Sequence, residues 1–187
     1  MTQERMIKGS VVLDMAKVIR AFKDEAWDQY LTPADVELVK AMIIPTAWYP
    51  IDAYQRMGLA VYKLVAKGDE KALRAFGQAA MKELFEGPYR PFLAKDDPVQ
   101  AVAKFFELRK SLFNFSRTTV EQTGPKSLRV RIAELGEFDV GLDVFLLLLN
   151  VHLEELVKFN GGKIEGINSR SVKERGQTVL LVDLAWT

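Results

Sequence analysis

His152 is the single histidine of the chain, and imidazole is the side chain suited to a proton switch or an axial haem ligand. At helical spacing its neighbours are Leu148, Leu149, Glu155 and Leu156, which sets the ring at the edge of an apolar stripe. The plainer reading is a partly buried ring hydrogen-bonded to Glu155 or a main-chain carbonyl, because ligation also needs a cavity. Asp139 and Asp143 lie four apart on one helical face, with Glu154 and Glu155 further on. Paired carboxylates suit acid–base work when burial raises one of them. Asp139, however, falls in a first helical turn, where the helix dipole favours an acid for structural reasons. No nucleophile or metal set accompanies these carboxylates, and no catalytic residue is assigned.

Aromatic residues supply the other candidate chemistry. Trp48 and Tyr49 sit beside prolines in a connector, with Tyr54 and Tyr62 following and Phe105, Phe106 and Phe113 further on. Together they offer enough apolar surface to line a ligand cavity, although aromatics are more often plain core. Gly87-Pro88-Tyr89-Arg90-Pro91-Phe92 reads as a stiff loop whose Tyr89 and Arg90 are candidate interaction residues. Arg129 and Arg131, with Lys126 and Arg117, make a modest basic patch or a solvated strand face. No phosphate-binding, dinucleotide-binding or nucleophile-elbow glycine motif occurs.

Composition narrows the classes further. The chain has 187 residues, 49% hydrophobic and 27% charged, the make-up of one soluble domain spanning 1–187. Lys plus Arg number 26 against 25 for Asp plus Glu, a net charge of +1 that argues against nucleic-acid coating and polybasic membrane binding. With no cysteine there is no disulfide, thiolate nucleophile or thiolate-held metal, and one histidine excludes a two-histidine metal site. The most apolar window, Val140 to Leu156, carries Asp143, Asn150, His152, Glu154 and Glu155 and reads as a buried helix rather than a membrane span. With no targeting signal at the amino end, a cytoplasmic location is expected.

The elements that must position these residues are mostly helical over the first ~115 residues. Val11, Val12, Met15, Val18, Ile19 and Phe22 recur at helical spacing, and Thr32-Pro33-Ala34-Asp35 is a capped helix start. Further helices are expected from Pro50 to Lys67, from Asp69 to Gly87-Pro88, and from Val99 to Phe113. The period then changes. Ser116 to Gln122 and the alternating Leu128, Val130 and Ile132 form a hairpin around Thr123-Gly124-Pro125-Lys126. Phe138 to Phe159 is a long core helix, and Lys163 to Lys173 with Thr178 to Trp186 form a second hairpin. Both faces of Val179 to Val182 are apolar, which places the last strand centrally or under cover. The class is α+β: a helical half packed on one antiparallel sheet of two hairpins separated by a helix.

Several short motifs carry a resemblance. Ile7-Lys8-Gly9-Ser10, Ile44-Pro45-Thr46-Ala47-Trp48-Tyr49-Pro50, Gly77, Gly87 to Phe92 and the terminal Ala185-Trp186 resemble a family of paralogues, uncharacterised in function, from myxobacteria and related deltaproteobacteria. The layout is also similar to a wider superfamily of 4-vinyl-reductase-type, haem–nitric-oxide-binding and TRAPP domains. That resemblance implies helices on a twisted sheet, with small-molecule binding between them or a scaffold of dimerising helices. The haem-binding branch uses a mid-chain helical histidine and a Tyr-x-Ser-x-Arg element. This chain has no histidine there, and Phe115-Ser116-Arg117 only echoes the second element.

The expected function is a non-enzymatic domain in signalling that binds an apolar or amphipathic small molecule or a protein partner, as a homodimer. It is expected to have no resident cofactor or metal, no nucleic-acid partner and no membrane insertion. Trp48, Tyr49, Phe105, Phe106 and His152 are the expected ligand-binding residues. The alternatives are a haem or tetrapyrrole sensor using His152 and a TRAPP-like dimeric scaffold without ligand.

Overall fold

A computed structural model describes residues 4–87, 90–92, 96–135 and 141–187. The chain opens with a short strand, β1 (Met6–Lys8), and helix α1 (Gly9–Ala21), whose buried Val12, Ala16 and Ile19 follow the helical period. Helix α2 (Pro33–Lys40) starts as the sequence expects: the Thr32 hydroxyl accepts from Asp35 N, and the Asp35 carboxylate accepts from Thr32 N. Asp35 is also buried against Arg56 of α3 (Ile51–Ala60), whose Nε and Nη2 donate to its two oxygens at 2.6 and 2.8 Å. Burial pushes the Asp35 carboxyl up, but the hydrogen bonds from Arg56 and Thr32 outweigh it and hold the group below the usual carboxylate range.

Helix α3 runs on into one π-helical turn, Val61–Val65, closed by Ala66 N donating to the Val61 carbonyl. Helix α4 (Glu70–Glu86) begins at the Asp69 cap, and α5 (Pro98–Lys110) at Asp97, which caps Gln100 N. Strands β3 (Arg117–Gly124) and β4 (Ser127–Ala133) form the first hairpin. After the long helix α6 (Leu142–Phe159), β5 (Ile164–Glu174) and β6 (Gln177–Trp186) form the second.

The hairpins join through β4 and β6, giving an antiparallel sheet in the order β3-β4-β6-β5. Register sets Leu128 opposite Leu184, Val130 opposite Val182 and Ile132 opposite Leu180, and all six are buried. With α4, α5 and α6 these residues form one apolar core. Strand β6 is interior, as its doubly apolar sequence requires. On the sheet's other face two arginines of the expected basic patch are paired with acids: Asp183 accepts from Arg129, and also from Arg170, and Glu174 accepts from Arg131.

A second core gathers β1, α1, α2 and α3 around Ile7, Val12, Ile19, Val39 and Met57. Its ribbon of β1 with β2 (Trp48–Pro50) corrects the reading of Trp48-Tyr49 as connector. Three-residue strands are too short to show alternation in sequence. The ribbon is tied to the end of α5, since Lys8 N donates to the Leu112 carbonyl and Met6 N to Asn114 Oδ1. Among the described residues, no helix is long and apolar enough to cross a membrane.

Candidate functional site

The two cores meet at an interior cavity of about 80 Å³. Its walls come from Met15 of α1, the Tyr54, Gln55 and Gly58 face of α3, Arg109 of α5, Phe113 and Phe115 after it, and the Val144 to His152 face of α6. Most of this lining is apolar because each helix turns its stripe inward. Four polar side chains break the pattern: Tyr54, Gln55, Arg109 and His152. Arg109 Nε and Gln55 Nε2 are both buried, and neither has a hydrogen-bond partner among the described residues.

Arg109 is held by rings rather than acids. Its guanidinium carbon lies 4.0 Å from the Phe113 ring centroid and 5.2 Å from that of Phe145. Burial pushes the guanidinium down to about 10, with only the Tyr54 phenol acting in the opposite direction. Arg109 therefore keeps its charge at neutral pH inside an apolar wall. Burial raises the Tyr54 phenol, so that group stays neutral. An outer cleft of about 290 Å³ shares Arg109, Phe113 and Phe115 with the cavity.

His152 lines the cavity. Burial, aided by the Arg109 charge, pushes its imidazole down to about 4, so the ring is neutral at physiological pH. The expected hydrogen bond to Glu155 is not formed: that carboxylate accepts from Gln78 and Lys158 instead. The Phe105 ring meets His152 edge-on, centroids 6.1 Å apart, and Phe106 lies in the sheet core. Neither phenylalanine lines the cavity.

Trp48 and Tyr49 stand elsewhere. Lys8 Nζ lies 3.9 Å from the half-exposed Trp48 ring, and Tyr49 Oη accepts from Ile44 N at 2.9 Å. Of the five expected ligand residues, the cavity thus gathers His152 directly and Phe105 behind it. Tyr89 lies outside the described residues, and Arg90 is exposed on a short 3-10 turn. Asp139 also lies outside them. Asp143 is exposed, and Glu154 pairs with Arg74 at 3.0 Å, so these carboxylates do not form an acid–base pair.

In the sequence Arg109-Lys110 looks like the usual cationic end of a helix, which hides the role of Arg109. The signal was present in the spacing. Val102, Phe105, Phe106, Arg109 and Phe113 fall on one helical face, which puts an arginine in an apolar stripe.

The fold is that of the H-NOX domains. An Fe(II) unliganded H-NOX protein from K. algicida superposes with a TM-score of 0.66 at 14% identity, covering 97% of each chain. A variant of the T. tengcongensis H-NOX does so with a TM-score of 0.64 at 13% identity, over 97% of this chain and 98% of that one. A third, from work on haem distortion in the H-NOX family, has a TM-score of 0.64 at 14% identity. No family model matches the chain, and no curated protein matches its sequence.

The residues present do not fit a haem. Pockets that enclose drug-sized ligands span about 300–1,000 Å³, several times the cavity here, and a haem is at least that large. The Arg109 charge that opposes a proton on His152 equally opposes a metal cation on the same ring.

Proposed function

We propose that this chain is a non-enzymatic, small-molecule-binding sensor domain whose ligand enters between the helical half and the sheet half. The observation that carries the reading is the mostly apolar cavity at the meeting of the two cores, with two buried, unmatched hydrogen-bond donors on its wall. A core built only for stability satisfies or excludes such groups. The likeness to H-NOX structures over 97% of the chain, one of them from work on haem distortion in that family, supports a ligand-binding role for the fold. A homodimer in signalling remains part of this reading.

Native mass spectrometry of the freshly purified, untagged chain tests it. The expected result is excess mass that leaves on denaturation, on a species of twice the monomer mass. A clean apo mass that no small molecule shifts would overturn ligand binding, and a monomer would overturn the dimer.

A second reading is a haem or tetrapyrrole sensor using His152. It is favoured by the fold shared with H-NOX proteins and opposed by the cavity's size and by Arg109. Haemin titration decides it: a Soret shift abolished by His152→Ala supports this reading, and no shift removes it.

A further inference from the structure

We propose that the ligand of this domain is a small carboxylate with a short apolar body, its carboxylate bound by the guanidinium edge of Arg109 and its body by the apolar wall of α6. This rests on the reading of the cavity as the ligand site. The argument begins with what Arg109 lacks. Arg109 is half-buried as a residue, but its Nε is fully enclosed, and an enclosed cationic donor is ordinarily paired with a carboxylate. No acid pairs with Arg109 among the described residues. Stacking by Phe113 and Phe145 answers only part of that need, because an aromatic ring meets the guanidinium through its π face and accepts no in-plane hydrogen bond. The N–H groups along the guanidinium edge remain, and Nε is buried without an acceptor.

The second unmatched group sharpens the class. Gln55 Nε2, also on the cavity wall, is likewise a donor. The buried atoms without partners that are acceptors, Asn150 Oδ1 and Asn160 Oδ1, belong to residues that do not line this cavity. What the interior asks for is therefore an acceptor, and a charged one at Arg109. A carboxylate meets a guanidinium edge with two parallel bonds. Apart from Tyr54 and His152, the remaining lining, including Val144, Leu148 and Leu149, offers an apolar body van der Waals contact. At about 80 Å³ the interior suits a short chain or one ring, and Gly58 leaves open space in the wall. Entry is from the outer cleft, which shares Arg109, Phe113 and Phe115 with the cavity.

Matched pairs of probes test this by calorimetry and thermal shift on the full chain: butanoate with butanamide, hexanoate with hexanamide, phenylacetate with phenylacetamide. At least one carboxylate is expected to bind ten-fold or more tightly than its amide. Arg109→Met is expected to fold, with a melting temperature no lower than the parent's, and to lose that preference. A binding-induced shift of the single histidine's ring signals, with an upward move of their titration midpoint, places the anion beside Arg109. Equal binding of acid and amide, or a preference that survives Arg109→Met, overturns the carboxylate while leaving the cavity as a ligand site. If no probe binds and the purified protein carries no mass of its own, both readings fall. If Arg109→Met does not fold, Arg109→Gln and the histidine signals of the parent protein decide the matter in the same way.

Discussion

Gly77 on α4 packs directly on Val151 of α6: a Cβ built on the glycine would stand 2.9 Å from Val151 Cγ1 and 3.3 Å from Leu148 Cδ2. The missing side chain lets the two helices approach, and Leu148 is in turn part of the cavity wall. Gly77→Ala is therefore expected to destabilise by about 1–3 kcal/mol through overpacking, despite the better helix propensity of alanine. Adding Val151→Ala should return part of that loss. Urea denaturation of the single and double variants checks it, and a stabilised Gly77→Ala would refute the packing argument.

The same substitution has the opposite sign at Gly58. There a Cβ meets nothing within 4 Å, and the residue lies inside α3 with no left-handed backbone to relieve. Gly58→Ala should raise stability by about 0.5–1 kcal/mol. Because Gly58 lines the cavity, Gly58→Phe should in addition abolish binding of any ligand seated there. Equilibrium unfolding measures the first effect, and calorimetry with the bound probe the second.

What made the fold legible was period and punctuation. Leu128, Val130 and Ile132 alternate with arginines, Thr32 and Asp69 cap, and the turns expected at 123–126 and 174–177 enclose the tighter two-residue turns at 125–126 and 175–176. The β1–β2 ribbon and the π-helical turn at Val61–Val65 carry no such mark, since each is fixed by contacts distant in sequence. The site was legible in one residue, His152, whose place on an apolar stripe does put it on the cavity. Arg109 becomes a half-buried cation with an enclosed Nε only when Phe145 of α6 and Phe113 stack on it. Trp48 and Tyr49 drew notice as aromatics beside prolines, but their rings are engaged with Lys8 and Ile44 at the ribbon.

His152 ties stability to pH. Its folded-state value of about 4 lies below the ordinary 6.5, so between those values the unfolded chain binds a proton that the native chain does not. Stability is then fully present above about pH 6.5 and falls as pH drops toward 4. The loss is about 1.4 kcal/mol per pH unit, or about 3 kcal/mol across the window. Tyr54 and Arg109, the titratable and charged groups beside it on the cavity wall, do not change charge there. Chemical denaturation at pH 7.5 and 5 should show the slope, and His152→Leu should flatten it. A parent protein without the slope would mean that the ring is in contact with water.

Asp35 gives a separate, more acidic step. Its carboxyl is held below 3.8 by Arg56 and Thr32 in spite of burial, so the stability it contributes is complete above about pH 4 and is lost as pH falls through its lower native value. Arg56→Met leaves that carboxylate buried without its charge partner. The expected cost is about 2–3 kcal/mol, below the figure for a fully enclosed pair because Arg56 is itself 32% exposed. Asp35→Asn in the same background should recover part of it. Thermal unfolding of the three proteins at pH 7 measures this, and a cost under about 0.5 kcal/mol would show the pair to behave as a surface ion pair.

The ribbon supplies the last prediction, and it separates fold from function. At Gly9 a Cβ would run into the Ile44 carbonyl oxygen and stand 2.7 Å from Tyr49 Cε2, while Gly9 N and Ser10 N are already bonded to the carbonyls of Ala47 and Pro45. The obstacle is backbone held in its own hydrogen bonds, so Gly9→Ala should cost at least about 3 kcal/mol. Tyr49→Phe deprives Ile44 N of its acceptor and should cost about 1 kcal/mol. Trp48→Ala removes a half-exposed ring and should cost little. Since Trp48 and Tyr49 do not line the cavity, Trp48→Ala and Tyr49→Phe should leave ligand affinity within two-fold of the parent, while Arg109→Met does not. A loss of binding in Trp48→Ala with the fold intact would move the ligand site from the interior to the ribbon.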